Sequence, residues 1–147
     1  MIRRSILFTS ILTLLLLWGT SFSYAQNSRQ TVVLSGLGKK KGTLYVAWYN
    51  QEANFKNQME PVFSQSLVVG AQEEVSVIFE NIPSGRYAIA VLLDQDGNKK
   101  MSTNLLGIPR EKYGFSNNVY PAFRAANWKE ASFELKNTDG EIRIRMK

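Results

Sequence analysis

The sequence predicts an all-β chain, an antiparallel β-sandwich of about seven strands of the immunoglobulin-like or transthyretin-like kind, carrying one long ordered loop at 94–128. Three observations predict it. Short segments alternate apolar and polar residues with a period of two. Clusters of Gly, Pro, Asn, Asp and Ser separate those segments. No stretch carries the apolar period of an amphipathic helix of useful length. Composition agrees: of 147 residues, 44% are hydrophobic and 20% charged, which suits one globular domain.

The chain opens on an address. Arg3 and Arg4 form a positive start, residues 6–18 are apolar apart from Ser and Thr, and Ser23 and Ala25 put small residues three and one before a cleavage point ahead of Gln26. That layout predicts a secretory signal peptide over 1–25 and a single β-sandwich domain over 26–147. A retained membrane anchor is the other reading, disfavoured because the run is short for ~30 Å of hydrocarbon at ~1.5 Å per residue. No later stretch is long and apolar enough to span, so no transmembrane segment is expected after cleavage. The expected location is bacterial and exported, periplasmic or secreted.

Residues 31–34 are a short run led by the β-branched Thr31, Val32 and Val33, and it ends in Ser35-Gly36-Leu37-Gly38. Residues 42–49 follow the turn Lys39-Lys40-Lys41, with Leu44, Val46 and Trp48 on one face and Tyr45, Ala47 and Tyr49 on the other. Segments 31–37 and 42–49 are expected to pair as a hairpin. Its lysine tip is either simply solvated or turned to an anionic surface. Residues 51–61 lack a period of two and suit a short helical turn or an ordered loop. Residues 62–69 and 75–80 read as strands, and Asn81-Ile82-Pro83-Ser84-Gly85 is a strong turn. Residues 85–94 are the clearest strand, apolar on both faces, which predicts a central position with something packed on each side. Residues 131–136 and 141–146 alternate again around Asn137-Thr138-Asp139-Gly140, and are expected to form a second hairpin.

The chain has no His and no Cys. That excludes Ser-His-Asp and Cys-His triads, thiolate zinc sites and disulfides. The basic residues do not cluster with the aromatics, so nucleic acid is not an expected partner. Two clusters remain. Asp94, Asp96 and Asn98 place oxygen side chains at alternate positions, a pattern that can wrap calcium. The same residues suit a strand-end turn, which is preferred because Lys99 and Leu105 stand where a calcium loop would want Gly and an acid. Tyr113, Phe115, Ser116, Asn117, Asn118, Tyr120 and Trp128, with Phe123 among them, mix rings and amides on the long connection. They are candidates to hold a sugar, peptide or other polar ligand. The plainer reading is that they order the loop, since ordering about 35 residues needs buried apolar area.

Three segments carry a family resemblance: Asn81 through Leu92, Asp94 through Asn98, and Thr103-Asn104-Leu105-Leu106-Gly107-Ile108-Pro109 on through Tyr113-Gly114-Phe115-Ser116-Asn117-Asn118. The chain resembles the exported bacterial family of domain of unknown function 2141, over residues 31–146. It is also similar to transthyretin-like and carboxypeptidase-regulatory-like sandwiches. The resemblance implies an exported β-sandwich with a scaffolding or binding role and no established activity. Members commonly show His where Leu93 stands and Asn-Gly-Lys-Leu-Asp where Asn98-Lys99-Lys100-Met101-Ser102 stands.

The expected function is a non-catalytic binding or accessory module of the cell envelope that presents residues 94–128 to a protein or polar ligand, with an envelope or outer-membrane protein as its partner. No cofactor is required by this reading. A calcium-stabilised structural domain is the alternative. An envelope glycan or peptide hydrolase built on Asp94 and Asp96 is a weaker third, and no residue is assigned a catalytic role.

Overall fold

The computed structural model describes residues 27–147 except Phe123. The expected leader and Phe123 lie outside the described residues. Among the described residues, alternating side chains build eight strands, β1 Ser28–Ser35, β2 Gly42–Tyr49, β3 Phe63–Val69, β4 Glu74–Ile82, β5 Gly85–Asp94, β6 Lys112–Phe115, β7 Phe133–Leu135 and β8 Gly140–Arg145. Two short helices join them, α1 Glu52–Asn57 and α2 Trp128–Ala131, with a tight helical turn at Ser116–Asn118. The strands form two sheets, ordered β4-β1-β8 and β3-β2-β5-β6, with β7 also paired to β5. The all-β sandwich expected from the alternation is what the chain adopts. One pair departs from the antiparallel pattern: β1 and β8 run parallel.

Neither expected hairpin forms. β1 pairs with β4 and β8, while β2 pairs with β3 and β5, so the two strands lie in different sheets. The link between them is a corner. Gly36 and Gly38 take positive φ, and Leu37 between them is fully buried. A buried apolar residue between two such glycines carries the chain across the core instead of back along the strand. The 137–140 turn is likewise a crossing. Asn137 Oδ1 accepts the Ser84 N–H at 3.0 Å and Asp139 Oδ1 accepts the Arg29 N–H at 2.8 Å, which sends β7 to β5 and β8 to β1. The long connection is not one loop either: β6 lies within it, paired to β5 from Ala90 to Leu93.

The inner faces of the two sheets make the main core. Val32, Leu34, Leu44, Val46, Trp48, Phe79, Ile89, Leu93 and Ile144 are buried there. Trp48 sits against Phe79, Tyr87 and Phe133 with ring centroids 5.4, 5.6 and 5.9 Å away, tilted or edge-on, the favoured aromatic geometry. Gly42 is required where β2 meets the end of β5, because a Cβ there would overlap the Asp94 carbonyl oxygen.

The two outer faces differ in kind. The three-stranded sheet shows water a charged face tied by Arg29–Glu80, Arg143–Glu141 and Arg143–Glu74 pairs. The five-stranded sheet is apolar on its outer face along β5 and β6 too. A second cluster covers part of it, with Tyr49, Phe55, Ala88, Ala90, Phe115, Ala126 and Ala131 buried. This is the covering that the two-faced apolar pattern of β5 predicts.

Candidate functional site

The segment Tyr113-Gly114-Phe115-Ser116-Asn117-Asn118 leaves β5 along β6 and turns sharply. Asn117 and Asn118 both take positive φ, 61° and 52°, a backbone region Asn tolerates better than most residues. The turn aims three polar side chains at backbone. Ser116 Oγ, fully buried, accepts the Ile89 N–H at 2.9 Å and donates to Ala131 O at 2.6 Å. Asn117 Nδ2 donates to Glu130 O and Ser132 O at 2.9 and 3.0 Å. Asn118 Oδ1 accepts the Arg145 N–H at 2.7 Å while its Nδ2 donates to Arg143 O at 3.1 Å, so its amide acts as one more rung on the free edge of β8. Tyr120 Oη donates to Arg145 O. Trp128 packs edge-on to Phe55, centroids 6.1 Å apart. Five of the seven residues singled out from sequence thus make bonds or ring contacts that order the fold.

The other two, Tyr113 and Phe115, line a groove of about 1140 Å³ on the outer face of the five-stranded sheet, just above the ~300–1,000 Å³ usual for small-molecule sites. Its floor follows from register. Ser64, Ala47, Ala90 and Phe115 stand in one cross-strand row, and Ser66, Tyr45, Leu92 and Tyr113 in the next. Three small side chains in succession leave the first row low, which makes depth. Leu106, Ile108 and Pro109 line one side and Pro121, Ala122 and Ala126 another, with α1 contributing Lys56 and Asn57 and its cap Gln58. The charged side chains of the lining are Lys56, Lys99, Lys100 and Arg124; no Asp or Glu lines it among the described residues. Sequence reasoning missed the floor. Its signal was present in the outward alanines of β2 and β5.

A second constellation lies at the base of the same connection. Carboxylate oxygens of Asp94, Asp96 and Glu111 come within 4.8 Å of one another. Asp94 accepts N–H groups of Gly97 (2.7 Å) and Lys99 (2.9 Å), Asp96 those of Asn98 main chain (3.1 Å) and side chain (2.9 Å), and Glu111 those of Gln95 (2.7 Å) and Ser102 (3.0 Å). Burial pushes the Asp94 carboxyl up, but the N–H donors of Lys99 and Gly97, with help from Asp96 and Asn98, hold it below its ordinary value. Asn98 does not join the three: its Oδ1 accepts the Lys100 N–H at 2.7 Å. Glu111, distant in sequence, takes the place that spacing had assigned to it.

Arg124 on the groove wall makes a two-pronged pair with Glu130, 2.8 and 2.7 Å. Glu130 also completes a capping box with Asn127 at the start of α2. Arg124 first, then the Asn127 N–H, draws the Glu130 carboxyl down to about 2.

With this geometry in place, comparison with known proteins adds the following. A family model described as an uncharacterized protein conserved in bacteria (DUF2141) matches residues 32–143. No curated protein matches the chain. Among solved structures the chain is similar to a pilus-presented adhesin at 11% identity and a TM-score of 0.35, covering 84% of this chain and 27% of that one. The chain therefore spans about a quarter of that protein.

Two outcomes follow from the clamps. Ser116→Ala should destabilise the domain by about 1–3 kcal/mol in denaturant unfolding, because Ile89 N–H and Ala131 O lose a buried partner; a change within error would free Ser116 for a ligand role. Glu130 should titrate by carbon-13 NMR with a midpoint of about 2. Its folded value is depressed, so its contribution to holding 124–130 is complete above the ordinary 4.5 and fades as pH falls towards 2. Arg124→Ala should raise the midpoint, and an unmoved midpoint would deny the pair its role.

Proposed function

The chain belongs to the DUF2141 family, whose description carries no activity, and on that premise we propose that it is an exported, non-catalytic binding module whose groove holds an elongated ligand with an apolar body and an anionic end. One observation carries the reading: the groove floor is apolar and low along Ala47 and Ala90, while the charges at its rim are all positive. An apolar body would lie over Ala90, Leu92, Tyr113 and Phe115, and an anionic group would meet Lys99, Lys100 or Lys56. Export is supported by the basic, apolar and small-residue order of residues 1–25. A segment of an envelope or outer-membrane protein seated in the groove is the competing occupant. The hydrolase reading loses support from Asp94, because a general acid works best with a raised pKa and this carboxyl is held low.

The probe is a fluorescent long-chain fatty acid. It should bind with saturation, the uncharged alcohol of the same length should bind less well, and Ala47→Trp, which fills the floor from β2, should remove binding while leaving the thermal midpoint close to the parent. Binding undiminished in Ala47→Trp overturns the assignment of the groove.

A second reading rests on the carboxylates. Three of them converge without a Lys or Arg ion pair among the described residues, and an all-oxygen donor set suits a hard cation such as calcium. Under this reading millimolar calcium raises the melting temperature and a chelator lowers it, by linkage. Glu111→Gln should abolish the shift. No shift in the parent protein ends this reading and leaves the first untouched.

A further inference from the structure

Residues 103–109 form a closed tip on the groove wall. Thr103 and Pro109 bridge as antiparallel partners. Asn104 N–H donates to Ile108 O at 2.9 Å, Gly107 N–H donates to Asn104 O at 2.9 Å, and Asn104 Oδ1 accepts the N–H groups of Leu106 and Ile108 at 2.9 and 3.0 Å. The tip is therefore shaped by polar bonds around one asparagine, and its shape does not depend on burying its own aliphatic side chains. Those remain in water: Leu105 is fully exposed, Leu106 83% and Ile108 55%. Contiguous exposed aliphatic residues on an ordered protrusion mark a contact surface. From Asn98 to Arg110 the sequence has no acid, and it carries Lys99, Lys100 and Arg110. All three are exposed and none is in an ion pair among the described residues.

We propose that this tip docks on an anionic lipid surface, Leu105, Leu106 and Ile108 entering the acyl boundary and Lys99, Lys100 and Arg110 meeting the headgroups. The combination favours lipid over protein. A stable protein interface needs about 800 Å² from each partner and is dominated by buried aromatic or arginine anchors. This tip offers a narrow aliphatic point with no aromatic side chain, and its Arg110 is exposed, not a buried anchor. A bilayer surface needs only apolar side chains to insert and cations to attract it, and its strength is the sum of the two. The inference goes beyond the ligand reading and stands whether or not the groove is filled.

The chain has no cysteine, so Leu105→Cys accepts a single environment-sensitive fluorophore, with Lys136→Cys as an exposed control away from the tip in sequence. Both are mixed with vesicles of phosphatidylglycerol and phosphatidylcholine, with phosphatidylcholine vesicles, and with short-chain phosphatidylglycerol kept below its micelle concentration. The label at 105 should shift to the blue on anionic vesicles alone, and the label at 136 should not. Lys99→Gln with Lys100→Gln should weaken the response about 30-fold, the loss expected for two cations near an anionic surface. A label at 105 that stays in water on anionic vesicles overturns the proposal and leaves the tip to a protein partner. An equal shift with monomeric lipid also overturns it, since it assigns the tip to groove occupancy. So does a response unchanged by the lysine substitutions.

Discussion

The structure depends on closing the free edge of β8. An unpaired strand edge presents a row of N–H and C=O groups that invite another strand. Here Asn118 supplies the missing partner with a side-chain amide, accepting from Arg145 N–H and donating to Arg143 O. Backbone bonds between Tyr113 and Lys147 continue the seam in both directions, 3.3 and 2.9 Å. The two sheets are joined at that corner by hydrogen bonds as well as by the apolar core. Because the same turn carries Ser116 to β5 and Asn117 to the end of α2, one short motif fixes three elements against each other. The connection from 94 to 128 is thus held at its middle, and the groove it walls has a fixed side.

The groove itself comes from what is missing. The outer face of the five-stranded sheet would be filled by ordinary side chains; instead Ser64, Ala47 and Ala90 stand in a row beside Phe115. Phe55, Phe115 and Trp128 pack edge-on at one end, where the covering elements meet the sheet. The other outer face of the sandwich is a solvated surface of paired charges. The domain therefore has one charged, solvated face and one that is apolar, recessed and partly roofed.

The strands were legible because alternation reports a local fact, which side of a strand faces the core. The alternation of β5 gives its observed limits, and its apolar outward face predicts a cover. Pairing was not legible, because it is decided at corners. Leu37 between Gly36 and Gly38 looks like a hairpin loop until its side chain is seen to be buried. β6 was hidden by its brevity and its glycine, and Gly114 is required there since a Cβ would meet Ile144 Cγ2 at 2.7 Å. The Ser-Asn-Asn run was conspicuous, but an amide that binds a ligand and an amide that binds backbone are the same residue. Only the direction set by the positive φ of Asn117 and Asn118 tells them apart. Glu111 was invisible beside Asp94 and Asp96 because proximity in space here has no counterpart in spacing.

The charges of the long connection are sorted in a way that ties its two constellations together. Three carboxylates within 4.8 Å repel one another, and what offsets the repulsion is a set of N–H groups from the very loop that carries the cations: Gly97 and Lys99 to Asp94, Asn98 to Asp96, Gln95 and Ser102 to Glu111. Acceptance of those donors keeps Asp94 ionised below its ordinary pKa. It also sets the backbone of Lys99 and, through Asn98, of Lys100, so the negative base positions the positive rim. Replacing the base with side chains that cannot accept a hydrogen bond removes the bonds that hold the rim in place. A change at Asp94 or Glu111 would therefore reach the groove and the apolar tip through the loop's geometry, without touching anything bound to either.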